Sequence, residues 1–139
     1  MEREPHPIAI RQADVDDVSE GLSARAAVQR VRAAVANWEG VTTHTHRFGG
    51  IEFRLGRREL GHLHGRIADL PFPRHVRDEL VAAGRARPHH VLPQSGWVTV
   101  PMRTSSEVSN VIELFRQNYE RPSTFSIVIG NDRTRVPVA

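Results

Sequence analysis

From Val41 to Gly65 the chain runs as three short segments, VTTHTHRF, GIEFRLG and RELGHLHG, in which apolar and polar residues alternate and glycines intervene. Period-two alternation puts Ile51, Phe53 and Leu55 on one side of a strand and Glu52 and Arg54 on the other, because successive strand side chains point to opposite faces. Gly49-Gly50 and Gly56-Arg57-Arg58 supply turns, so the stretch reads as a three-strand antiparallel meander with one face for a core. The second turn decides where the histidines of the third segment go. A three-residue turn places Glu52, Arg54, His62 and His64 on a common polar face, whereas a two-residue turn drives both histidines into the core. The first keeps the alternation intact and is the expectation.

Helical periodicity flanks this meander. Ser23 is a suitable N-cap for a helix to about Asn37, with Val28, Val31, Val35 and Trp38 as its buried stripe and Gly40 as its stop. In PFPRHVRDELVAAG, Pro73 suits a first helical turn, Val76, Leu80 and Ala83 form a stripe, and Gly84 ends it. RPHHVL then reads as a short strand, Pro93 to Gly96 as a turn, and WVTVPM as a strand with Val98, Val100 and Met102 facing one way. Thr104 and Glu107 form a capping box for a last helix whose face is Val108, Val111, Ile112, Phe115 and Tyr119, until Pro122 forbids continuation.

The order is α-β3-α-β2-α, followed by FSIVIGNDRTRVPV, which is able to turn back as a hairpin at Gly130-Asn131-Asp132. It predicts an α+β fold in two layers, an antiparallel sheet with helices on one face. Residues 1-20 read as a loose N-terminal arm, 21-121 as a single domain, and 122-139 as a C-terminal extension.

Absence of cysteine excludes disulfides, thiolate nucleophiles, iron-sulfur clusters and cysteine-type zinc sites. No run approaches the ~20 apolar residues of a membrane span, and the N-terminus has no signal-peptide apolar core, so the expectation is a cytoplasmic protein that does not engage membranes. The pI of 10.8 points to nucleic acid only superficially. All 19 basic residues are Arg, and the net charge is +3, so the pI reports missing lysine rather than a strong field. Nucleic-acid binding is accordingly the least favoured partner class. Residues 41–90 carry nine Arg against five acids and seven of the eight His, which locates the chemistry in the middle of the chain.

Across HRFGGIEFRLGRRELGHLHG, PFPRHVRDELVAAGRARPHHVLPQSGWV and VIELFRQNYER, about Trp38 to Arg121, the chain resembles a family of small bacterial and fungal domains labelled luciferase domain. Its element order also resembles the YjbR/MmcQ-type fold, related in shape to type III secretion chaperones. The first resemblance implies a shared small domain but not a light reaction, since flavin luciferases are barrels of ~250 residues. The second implies a binding module.

The residues themselves point to imidazole chemistry. His44 and His46, then His62 and His64, are i, i+2 pairs, and such pairs share a strand face, so neighbouring strands can converge them on one ion. These four form the candidate metal set, a divalent metal being the one cofactor suggested and none being firmly implied. Glu52 and Asp69 are nearby carboxylates. The wider ligand-binding set is His44, His46, Glu52, Arg54, His62, His64, His89, His90 and Trp97, with no catalytic residue assigned. Arg47, Arg54, Arg57, Arg58, Arg66, Arg74 and Arg77 are able to present an anion-binding surface. Ser95 lacks the G-x-S-x-G elbow of a nucleophile, and no phosphate-binding glycine loop is present. The leading reading is a small binding module that takes a small molecule or a protein partner on its His- and Arg-rich sheet face. The alternatives are a His-dependent enzyme, with or without metal, and a weak nucleic-acid binder. The oligomeric state is open, a homodimer being one option.

Overall fold

The computed structural model describes residues 21–46 and 49–122, so the expectations for the arm at 1–20 and for the hairpin beyond Pro122 fall outside the described residues. The chain runs α1 (Ala24–Val35), β1 (Val41–Thr45), β2 (Ile51–Leu55), β3 (Arg58–His64), β4 (Ile67–Pro71), α2 (Arg74–Ala82), β5 (Arg87–Pro88), β6 (Trp97–Pro101) and α3 (Ser105–Glu120). All six strands join one antiparallel sheet in the order β1-β2-β3-β4-β6-β5, and the three helices complete an α+β fold.

The first hairpin group has four strands where the sequence predicted three. The missed strand, IADLP, lies between β3 and β6, and its three middle residues are all buried. A strand covered on both faces carries no period-two signal. The predicted RPHHVL strand shrinks to Arg87–Pro88. Residues from His89 on leave the ladder and become a loop.

Helix starts follow the predicted chemistry. The Ser23 hydroxyl accepts from the Ala26 amide at 3.0 Å, and Thr104 accepts from the Glu107 amide at 3.2 Å. Glu107 reaches back to the Arg103 amide at 2.7 Å. The buried stripe of α1 is Ala27, Val31 and Val35, with Val28 and Trp38 only partly buried. On α2 Leu80 is buried, but Ala83 is exposed beyond the end of the helix. On α3 the buried set is Val108, Val111, Leu114, Phe115 and Asn118, while Ile112 and Tyr119 are partly buried.

One core joins the layers. Phe53, Leu63, Ala68, Leu70, Val98 and Val100 from the sheet meet Val31, Val35, Leu80, Val111 and Phe115 from the helices. The Phe53 and Phe115 rings meet edge to face, with centroids 5.4 Å apart, a geometry that aromatic quadrupoles favour. Gly61 lets α3 approach, since a Cβ there would sit 2.8 Å from both the Asp69 carbonyl and the Phe115 ring.

The register at the β2-β3 turn differs from the one expected, yet the faces come out as expected. Leu55 pairs with Arg58 across a two-residue turn, Gly56-Arg57, and the ladder then shifts between Phe53 and Arg54. Beyond the shift, Phe53 pairs with Gly61, Glu52 with His62 and Ile51 with Leu63. Leu60 is the extra residue of a β-bulge, and a bulge advances register by one exactly as a longer turn would. His62 and His64 therefore share the face of Glu52, opposite the core. Asn118, fully buried on α3, donates to the Leu60 carbonyl at 3.0 Å, supplying the partner the bulge removes from the ladder.

Candidate functional site

Residues paired directly across a sheet point to the same side. The register thus lays one row over the open face: His44, Glu52, His62, Asp69, Thr99 and Arg87. His64 lies one step along β3, opposite Ile67. The segment His89 to Gly96 passes beside this row and, with the sheet, encloses a cleft of about 790 Å³ lined by His46, His62, His64, Asp69, His89 and Trp97, with Ile67, Val91 and Leu92 at an apolar border.

Local bonds build the loop. The His89 Nδ1 accepts from the Val91 and Leu92 amides at 3.1 and 3.0 Å. Ser95 donates its hydroxyl to the Leu92 carbonyl at 2.7 Å and accepts from the Trp97 amide at 3.1 Å. Ser95 is therefore a turn residue, as its lack of an elbow motif indicated. Because backbone amides only donate, His89 Nδ1 is unprotonated, and a neutral His89 carries its proton on Nε2.

His62 is the centre of the polar floor. Its Nδ1 lies 2.8 Å from Glu59 Oε2 and its Nε2 3.3 Å from Asp69 Oδ2. Burial alone would push its pKa down, but the hydrogen bonds to Asp69 and Glu59 and their charges outweigh that and raise it to about 9. Asp69, 2% exposed, also accepts from the Thr99 hydroxyl at 2.8 Å. Burial works against its charge, and bonds from His62 and Thr99 override this to hold its carboxyl below the usual range. His89 Nε2 and His90 Nε2 approach the same carboxylate at 3.7 and 3.6 Å. Desolvation, with the neighbouring His62 and His46, keeps His64 below an ordinary imidazole. His89 is lowered as well, burial dominating the opposing pull of Asp69.

The rings pack on one another. His46 stacks on His62 with centroids 4.1 Å apart, and His64 meets both edge-on at 5.0 Å. Trp97 closes the group, 5.4 Å from His62 and 5.9 Å from His89. Gly50 makes room for it: a Cβ there would stand 3.0 Å from the His64 ring. The Gly50 carbonyl also takes the His46 amide at 2.7 Å, which fixes the backbone that presents His46.

Of the residues predicted from sequence, His46, His62, His64, His89, His90 and Trp97 converge on the cleft. His44 does not line it. It is exposed on β1, and its Nε2 lies 2.9 Å from the Thr42 hydroxyl. Glu52 and Arg54 share the open face but are an ion pair with each other and stay outside the cleft. The expected arginine surface is dispersed. Arg58 binds the carbonyl end of α3 through Asn118, and Arg77 bonds Asp78 and the Pro93 carbonyl. Arg47 is not among the described residues. Four contributors were missed as site residues, Glu59, Ile67, Val91 and Leu92, the last two because RPHHVL read as a strand and not as a loop. Glu59 gave no signal because its orientation depends on the bulge, and Ile67 because its strand was not recognised.

The arrangement offers several imidazoles, some neutral and one held as a cation between carboxylates, under an apolar rim. Residues 57–118 match the family model described as Luciferase domain, as the resemblance implied. That stretch runs from the β2-β3 turn to Asn118 and takes in every cleft residue named above except His46. No curated protein and no solved structure matches the chain, so the likeness to the YjbR/MmcQ-type fold gains no support from known structures.

Proposed function

We propose that a chain with this likeness is a binding module whose ligand is a small organic molecule with an apolar body and a polar end, held in the cleft over the open sheet face. The observation that carries the reading is the pairing of a polar floor with an apolar rim. Ile67, Val91 and Leu92 are the large hydrophobic side chains left exposed among the described residues, at 40%, 66% and 51%, and all three border this one cleft. Exposed apolar side chains gathered at the mouth of a concave site with convergent polar groups mark a ligand pocket. No helix among the described residues is long and apolar enough to cross a membrane.

An enzyme reading draws on the same floor, where His62 sits between Asp69 and Glu59 while His64 and His89 are held towards the neutral form, a set able to move protons. It requires a substrate pose, whereas the binding reading requires only the cleft.

The test uses 1-anilinonaphthalene-8-sulfonate, a dye with an apolar body and an anionic end. In a Trp38→Phe background Trp97 is the sole indole, and saturable quenching of its emission is expected as the dye binds. Leu92→Asp should weaken binding ~10-fold or more while leaving the melting temperature unchanged, since exposed positions contribute little to stability. Dye binding indifferent to Leu92→Asp would place the ligand elsewhere.

A further inference from the structure

We propose that His46, His62 and His64 form a binding site for a divalent transition-metal ion of the zinc class, open on the side of the cleft. The proposal rests on the reading of the cleft as the functional site and names the chemistry of its floor.

One donor atom from each of the three imidazoles lies within 4.8 Å of the others. Donors around a tetrahedral ion at ~2.0 Å are spaced ~3.3 Å apart, so binding requires the stacked His46 and His62 rings to turn out of parallel and the donors to draw in by at most ~1.5 Å. His46 Nδ1 is buried and has no hydrogen-bond partner among the described residues, an arrangement that costs free energy unless something occupies that nitrogen. Glu59 Oε2 takes His62 Nδ1 at 2.8 Å, as carboxylates hold metal-bound histidines, so His62 keeps its Nδ1 proton while the ion displaces the proton on Nε2 that faces Asp69 at 3.3 Å. Gly50 clears the space that the His64 ring occupies. An all-imidazole set selects zinc, copper, nickel or iron over magnesium or calcium, which require oxygen donors.

A second cluster, Asp69, His89 and His90, has donors equally close but is less suitable. His89 Nδ1 accepts two backbone amides, so its Nε2 carries the proton and has no lone pair to offer Asp69's side of the cleft. Asp69 instead supplies negative charge 3.3 Å from His62 Nε2, next to the proposed ion. His44, part of the set suggested by sequence, stands apart on β1.

The experiment uses the full chain without a histidine tag, stripped with a chelator and equilibrated with zinc chloride. Stoichiometric zinc retention after dialysis is expected, as is intense visible absorption of the Co2+-loaded protein, the signature of four-coordination. His46→Ala and His64→Ala should each abolish retention with the circular dichroism spectrum preserved. Glu59→Gln should weaken zinc affinity ~10-fold or more, acting through His62, and His44→Ala should change nothing. Absence of stoichiometric zinc in the wild-type chain, or retention that survives His46→Ala and His64→Ala combined, overturns the site. Dye binding without zinc binding removes the metal and leaves the cleft reading intact. Zinc without dye supports the metal and removes the organic ligand.

Discussion

His62 and His64 lie two residues apart on one face of one strand, yet their surroundings give them different roles. His62 is held through both ring nitrogens by Glu59 and Asp69, while His64 meets the other imidazoles through ring contacts. In the metal-free protein His62→Gln should therefore destabilise by ~1.5 to 3 kcal/mol, the range for hydrogen bonds to charged groups, because Asp69 remains buried with fewer donors. His64→Gln should stay within ~0.5 kcal/mol. Urea unfolding of the two variants side by side decides it, and equal costs would mean that the carboxylates do not hold His62. The i, i+2 spacing made the shared face legible in the sequence. The difference between the two residues was not, because Glu59 and Asp69 reach His62 only through the bulge and a strand that shows no alternation.

At the scale of elements, α3 fixes the site from the opposite side of the sheet. Its buried Asn118 donates to the carbonyl of the bulge residue Leu60, while Arg58 and Arg121 both donate to the Asn118 side-chain oxygen. Asn118→Ala should cost ~1 to 3 kcal/mol by stranding that buried carbonyl, and it should loosen the register that keeps His62 and His64 out of the core. A cost under ~0.5 kcal/mol in urea unfolding would show that the bulge needs no partner. The start of α3 carries a pH dependence. The hydrogen bonds of Arg103 to Glu107, stronger than the effect of burial, hold the Glu107 carboxyl below its ordinary value. A depressed folded-state pKa adds stability that is present above the unfolded value and is lost as pH falls through the folded one. Glu107→Gln should accordingly flatten the acid side of the stability curve. A curve that drops as steeply as wild type between neutral pH and the carboxylate range would assign the loss to other groups. The capping box was legible because Thr104 and Glu107 are local. The bulge was not, because Leu60 and Asn118 are 58 residues apart and no local pattern announces their bond.

At the scale of the molecule the sheet divides its labour, one face packed against the helices and the other given to histidines, carboxylates and the cleft. This division was legible in the alternation of β2 and β3, whereas the cleft was not, since it required the segment after Pro88 to leave the sheet. The same division bears on the partner class that the pI of 10.8 suggests. Nucleic-acid affinity grows with the number of phosphates that clustered cations neutralise, each released counterion steepening the salt dependence. Here the net charge is +3, and of the arginines on the open face Arg54 is engaged by Glu52 while Arg87 stands at the far end of the row, beyond Asp69 and Thr99. The floor between them holds Glu52, Glu59 and Asp69, which repel a phosphate backbone. Duplex and single-stranded DNA should therefore show no saturable binding at physiological ionic strength, and any retention at low salt should vanish steeply with added salt. Fluorescence anisotropy of labelled oligonucleotides at two salt concentrations measures this. Sequence-selective binding that persists at the higher salt would mean that the open face recognises bases, and the cleft reading would then have to yield to an interface with nucleic acid.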